Sequence, residues 1–300
     1  MSNSAGPVPP ERWLDIVRVS VHDDDAKAVE QLGKQVLEHG LPAIPDFVQL
    51  PSTEFERNAL LTVQDVINVI RKKCGQSPFS VSPDRLHIVE SASLRAKLGR
   101  DCQGYETLGR IYISDAVRVY PTSFAYTLSH EMSHVSSYSA AWFNFEMQAE
   151  KAVLTDVFQT RSGLQRHGSD GKPELHGLNE AVTEYLASLI RIVLSHEEGD
   201  FAKDCAAKAY TIDTDYATIT ALTNTLCREL GRGYRDDWTC TADVWACLLI
   251  DYWSGSDDFL DWLAGPYPDM AKDLRQLDTN AAQAKEFANR YGLRIDFGSK

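Results

Sequence analysis

Between residues 122 and 139 the apolar positions recur at helical spacing. Phe124, Leu128, Met132 and Val135 fall on one stripe, and Tyr126, His130 and His134 fall on another, the pattern of a helix with one side in a core. Pro121 suits the first helical position. The same period returns over about 177–195, where Leu178, Val182, Leu186 and Leu189 can pack away from a face carrying Glu180 and Glu184. Further helices are predicted over about 11–39, from Ser52 to Gly75, over "ASLRAKLG", and over about 212–230, 240–253 and 257–276. "DRLHIVES" and "GRIYIS" read as strands, and "KAVLTDVFQTRSGLQRHG" has the alternation and central glycine of a hairpin.

These elements imply an α+β fold, mostly helical, with a small mixed sheet in the middle. The organisation expected is a disordered stretch at 1–10 and a helical region at 11–78. A central unit over 79–200 and a helical region over 201–300, packed with the centre, complete it. No internal repeat or low-complexity tract interrupts this plan.

Composition narrows the classes of function. The chain has 300 residues, is 43% hydrophobic, and carries 43 acidic residues against 30 Lys plus Arg, for a net charge of −13. That balance repels phosphate backbones, so a nucleic-acid partner is not expected. "MSNSAGPVPP" has neither the basic nor the apolar part of a signal peptide. The longest apolar run, "VWACLLIDYW", is interrupted by Asp251 and is too short to span a bilayer. The expectation is a cytoplasmic protein without a membrane partner; its oligomeric state is not legible. Six cysteines at 74, 102, 205, 227, 240 and 247 form no C-x-x-C pair, which favours buried free thiols over a disulfide framework. A core of this size needs no structural metal, so a bound ion is expected to serve chemistry.

The chemistry centres on "TLSHEMSHVSSYS". His130 and His134, four apart on a helix, can direct two imidazoles at one ion, while Glu131 is turned by about 100° to lie beside it. This is the H-E-x-x-H arrangement of a zinc site with a general base. A third ligand must come from elsewhere. Ser137 and Ala140 stand where a metzincin needs Gly and His. A glutamate from a second helix is the other common solution, and "GLNEAVTEYLASLI" offers Glu180 and Glu184. His167 and His176, in turn-like surroundings, remain alternatives.

H-E-x-x-H followed by N-E-x-x-x-E resembles the gluzincin group of zinc metallopeptidases, most of all the compact minigluzincins, over about residues 84–195. The resemblance implies a zincin-like core with its sheet packed on the active-site helix and flanked by N- and C-terminal helices. It implies one zinc ion held by His130, His134 and Glu180, with Glu184 hydrogen-bonding a ligating histidine and Asn179 preceding the ligand. Zinc-dependent hydrolysis of peptide bonds follows, with Glu131 as general base toward a water activated by the ion. Tyr216 or Tyr210 would stabilise the tetrahedral intermediate. Arg110, Ile111, Tyr112 and Ile113 would either pair with an extended peptide substrate as an edge strand or form a fully paired interior strand. The 46 residues from His134 to Glu180 exceed the spacing in the tightest gluzincins, and the insert is expected to form a hairpin near the cleft. The competing reading is a zinc-binding regulatory or latent protein that acts through protein contacts.

Overall fold

The computed structural model describes residues 16–20, 47–99, 101–107, 109–148, 151–167, 172–194, 214–232 and 240–295. The segment expected to be disordered lies outside these residues, as does most of the first predicted helix. The architecture is α+β and mostly helical, with two sheets among the described residues.

A mixed four-stranded sheet runs in the order β2 (Gln49–Leu50), β3 (Leu86–Val89), β5 (Arg110–Ser114), β4 (Gly104–Thr107). β3 and β5 are parallel and the two outer strands are antiparallel to them. The second sheet is built on a long ribbon, β6 (Ser139–Gln148) and β7 (Lys151–Ser162). β1 (Ile16–Ser20) lies along one side, and the short β8 (Gln165–His167) and β9 (Pro173–Glu174) along the other. The expected hairpin is present: β7 turns into β8 at Gly163, whose φ of +58° favours glycine.

Helix α1 (Glu54–Lys73) opens on a capping box. The Thr53 hydroxyl accepts from the Glu56 N–H, and the Glu56 carboxylate accepts from the Thr53 N–H at 2.6 Å. The cap is thus Thr53, one residue beyond the predicted Ser52. Helix α2 (Ser91–Leu98) ends at Gly99, at φ +69°. A short α3 (Asp115–Arg118) precedes α4 (Pro121–Ser136), and α5 (His176–Leu194) follows the second sheet. The C-terminal part holds α6 (Thr214–Leu230), α7 (Thr241–Ser254), α8 (Asp258–Ala264), α9 (Pro268–Arg275) and α10 (Ala281–Arg290). One continuous cluster of buried apolar side chains runs from Ala59 on α1 through Leu128, Val182 and Leu248 to Ala288 on α10. The flanking helices therefore pack on the centre.

Three expectations need correction. Ile16–Ser20 is a strand, not part of a helix; three of its five residues are β-branched and its backbone pairs in parallel with β6. The helix predicted to reach 139 stops at Ser136, because Ser137 is extended at ψ 165° and leads directly into β6. The helix predicted over 257–276 is two helices. Gly265, Pro266 and Tyr267 separate them, and Pro268, which lacks an N–H, can only start the second.

No helix among the described residues is long and apolar enough to cross a membrane. Five cysteines are described and all are free thiols.

Glu56 links α1 to α3, since Arg118 grips both of its carboxylate oxygens at 2.6 and 3.0 Å. Burial works against its charge, but Arg118 and Thr53 outweigh that and hold its carboxyl below the ordinary value of 4.5. A lowered folded-state value adds stability above about pH 4.5 that is lost as pH falls through it. Glu56→Gln should therefore be less stable than the parent at pH 7, and the difference should shrink steadily below pH 4.5 in denaturant titrations. Thr53→Ala should cost about 1 kcal/mol at pH 7.

Candidate metal centre and cleft

The site is made where α4 crosses α5. The stripe predicted for α4 is buried as expected: Phe124, Leu128, Met132 and Val135 all lie in the core. On α5 the inward residues are Leu178, Val182, Leu186 and Ile190, with Ile190 in the role expected of Leu189. Packing of these two faces turns His130, His134, Glu180 and Glu184 toward one another.

Both helix ends at the crossing are pinned. At the end of α4, the buried Arg71 guanidinium donates to the Ser136 carbonyl at 2.5 Å, and the Trp253 indole donates to the Ser136 hydroxyl. At the start of α5, the Leu175 and Gly177 N–H groups donate to the carbonyls of Arg275 and Leu277. Leu175 adopts a left-handed φ of +61° while fully buried, a strained backbone that surrounding contacts must hold. A side chain at Gly177 would strike the Leu277 and Asp278 carbonyls at 2.7 Å.

Three donors converge. His130 Nε2 and His134 Nε2 are 3.3 Å apart, and Glu180 Oε2 lies 3.4 Å from the first and 3.6 Å from the second. A tetrahedral ion with donors at about 2.0–2.1 Å spaces them by about 3.3–3.4 Å, so the set matches the edges of such a coordination shell. This group can hold a metal ion. His167 and His176 do not belong to it. His176 instead bonds Gln165 Oε1 through Nδ1 at 2.7 Å, with Glu180 Oε1 3.9 Å away.

Glu184 is fully buried behind His130, with Oε2 3.2 Å from His130 Nδ1. That contact puts the proton on Nδ1 and leaves Nε2 turned toward His134 and Glu180, where it could ligate a metal ion. Sequence reasoning did not assign the support behind Glu184. The Tyr126 hydroxyl donates to its Oε1 at 2.5 Å, and the Arg191 guanidinium covers the Tyr126 ring at 4.6 Å. Tyr126 sits one turn before His130, so its position on the stripe was the available signal. Burial opposes the charges on Glu180 and Glu184, but the facing imidazoles outweigh it and hold both carboxyls below the ordinary range.

Glu131 borders the cleft beside the triad, with 7% of its surface exposed. Edge strand β4 approaches it so closely that a Cβ on Gly104 would sit 2.5 Å from Glu131 Oε1 and 2.6 Å from Thr127 Cγ2. Asn179, 1% exposed, is turned away from the donors. Its Oδ1 accepts from the N–H of Leu164 and of Gln165 and ties the β7–β8 turn to α5. The Tyr216 ring stacks on His130, with centroids 5.5 Å apart and planes at 21°. Tyr210 lies outside the described residues.

The cleft has two lobes that share Gly104, His130, Glu131 and Tyr216. One, of about 390 Å³, extends past Arg95, Gln103 and Tyr126; the other, of about 260 Å³, extends past Glu106, His176 and Glu180. The expected hairpin reaches the smaller lobe through Ser162 and Gln165 at its root. Arg110, Ile111, Tyr112 and Ile113 do not form an edge. β5 is paired with β3 on one side and β4 on the other, and Ile111, Tyr112 and Ile113 are buried. Among the described residues, the strand beside the cleft that is paired on one side only is β4, whose brevity and glycine concealed it in the sequence. No family model matches the chain, and no curated protein or solved structure matches it either.

Two outcomes follow from this geometry. Glu180→Ala should lose bound metal outright, while Glu184→Ala and Tyr126→Phe should weaken metal binding about 10–100-fold and less, respectively, measured by competition with a chelator. Gly104→Ala should keep its metal affinity but displace Glu131, visible as a moved Glu131 side chain in a crystal structure of the variant.

Proposed function

We propose that this chain is a zinc-dependent peptidase built on a zincin-like core. The observation that carries the reading is the His130–His134–Glu180 set, spaced as a tetrahedral ion requires, with Glu131 on the cleft side of it. Two imidazoles and a carboxylate are the donor set of many catalytic zinc sites, in which a fourth position stays open. The mixed sheet supports the reading, since its antiparallel edge strand β4 lies against the helix that carries the histidines.

Bound there, zinc would supply Lewis acidity toward a substrate carbonyl. The remaining work falls to the chain. Glu131 takes a proton from the attacking water and returns it to the departing amine. Glu184, held by Tyr126, fixes the tautomer of His130. The free edge of β4 offers backbone donors and acceptors to an extended peptide, a form of binding that fixes direction without demanding a side chain. Tyr216 stands over His130 at the junction of the two lobes, where a phenol can donate to a developing oxyanion. The two lobes then receive the side chains on either side of the scissile bond.

Glu131→Gln tests the reading. The variant should bind one equivalent of zinc as the parent does, while cleavage of a proteome-derived peptide library falls by about 10²–10⁴-fold. Equal cleavage by variant and parent would remove the general-base role. Zinc binding with no cleavage by the parent would favour the regulatory alternative.

A further inference from the structure

Glu106 has no task in the mechanism above, yet its place is specific. It lies on β4 two residues from Gly104, and alternate residues of a strand share a face. Gly104 marks the face turned to Glu131. The Tyr105 ring, between them, packs edge-on toward Phe47 and tilted toward Tyr112. Glu106 thus projects into the smaller lobe, which it lines together with Glu131 and Glu180. Among the described residues its carboxylate receives one hydrogen bond, from the Gly109 N–H to Oε1 at 2.9 Å.

The charges of that lobe do not close. Among the described residues no Lys or Arg lines it, and its described basic groups are the imidazoles of His130, His134 and His176. Two of these are donors to the ion and neutral in that role. With Glu106 ionised, a divalent ion balances two of the three carboxylates and leaves one net negative charge in a confined space; burial pushes the Glu106 carboxyl up to about 7, and a cation drawn to it favours the ionised form. Asp278, whose Oδ1 is 3.7 Å from the lining His176 Nε2, adds a further negative charge nearby. The larger lobe differs, since Arg95 lines it and is paired with Asp101.

We infer that the smaller lobe is a subsite for a cationic group of the substrate, with Glu106 as its specificity-determining carboxylate. The inference rests on the peptidase reading for the identity of the substrate, though not for the charge of the lobe. An ammonium or guanidinium reaching Glu106 would pair with the carboxylate oxygen not engaged by Gly109. Two sources share this chemistry, a lysine or arginine side chain and the free amino terminus of a peptide. A lobe of about 260 Å³ has room for either.

The test separates binding from turnover. In the full-length, zinc-loaded Glu131→Gln protein, affinities are measured for C-terminally labelled hexapeptides that carry lysine or norleucine at each position in turn. Each is made with a free and with an acetylated amino terminus. One cationic feature, the lysine at a fixed position or the free terminus, should strengthen binding about tenfold or more, the range of a charge-assisted hydrogen bond. Adding Glu106→Gln should erase that advantage, and Glu106→Lys should transfer it to glutamate-containing peptides, both with zinc content unchanged. If the advantage is missing, or survives both Glu106 substitutions, the assignment is overturned. Preference for the cation without cleavage by the parent would uphold the subsite and remove the peptidase reading instead.

Discussion

The crossing of α4 and α5 must bury His130, Glu180 and Glu184 side by side and leave His134 only partly covered, and the rest of the molecule follows from that demand. An unpaired charge in such a place costs several kcal/mol, so each carboxylate needs a partner fixed in position. Glu184 meets His130 and Tyr126, and Glu180 faces both imidazoles. These contacts hold only if the two helices keep their register to a fraction of an ångström. The apolar faces around Leu128 and Val182 supply the cohesion, and specific polar contacts at the helix ends supply the register. Arg71, buried against Trp253, fixes the last turn of α4. The 275–278 segment fixes the first turn of α5. The C-terminal helices are thus part of the site's foundation, although none of their residues is among the three donors.

The cleft is shaped by glycines in the same way that the crossing is shaped by apolar residues. Gly104 lets the backbone of β4 lie against Glu131, where any side chain would collide. Gly163 lets the β7–β8 turn close over Asn179 and Tyr252; a Cβ there would meet both at 2.5 Å, and its φ of +58° already disfavours other residues. In each case a strand or turn is brought nearer to an α-helix than ordinary side chains permit. The result is a cleft whose floor carries the donors and one of whose walls, at Gly104, is bare backbone.

How much of this was legible in the sequence depended on the range of the interactions involved. The α4 stripe and the His130–Glu131–His134 spacing are local consequences of helical geometry, so they could be read directly. The pairing of Glu180 with the histidines is not local. It became readable because N-E-x-x-x-E repeats a familiar arrangement, and the helix it sits on has clear periodicity. What escaped were features set by pairing partners distant in the chain. β1 is a strand because β6 lies beside it, and β5 is interior because β4, a four-residue segment with a glycine, covers one edge. Glu106 and Arg191 gave no signal either, since their positions acquire meaning only when β4 and α5 are folded against α4.

The distribution of rigidity across the site has a consequence for how such a centre can be used. The three donors and their supporting groups sit on two helices locked by a shared core, which keeps the geometry of the donor set nearly independent of what lies in the cleft. The walls are different in kind. Among the described residues, β4 is a short edge strand paired along one side only, and the hairpin root touches the site through Ser162 and Gln165. Changes in these walls can alter which chemical groups are admitted without disturbing the crossing beneath them. The donor geometry is therefore set by α4 and α5, and the character of the two lobes by side chains on other elements, Glu106 on β4 and Arg95 on α2 among them.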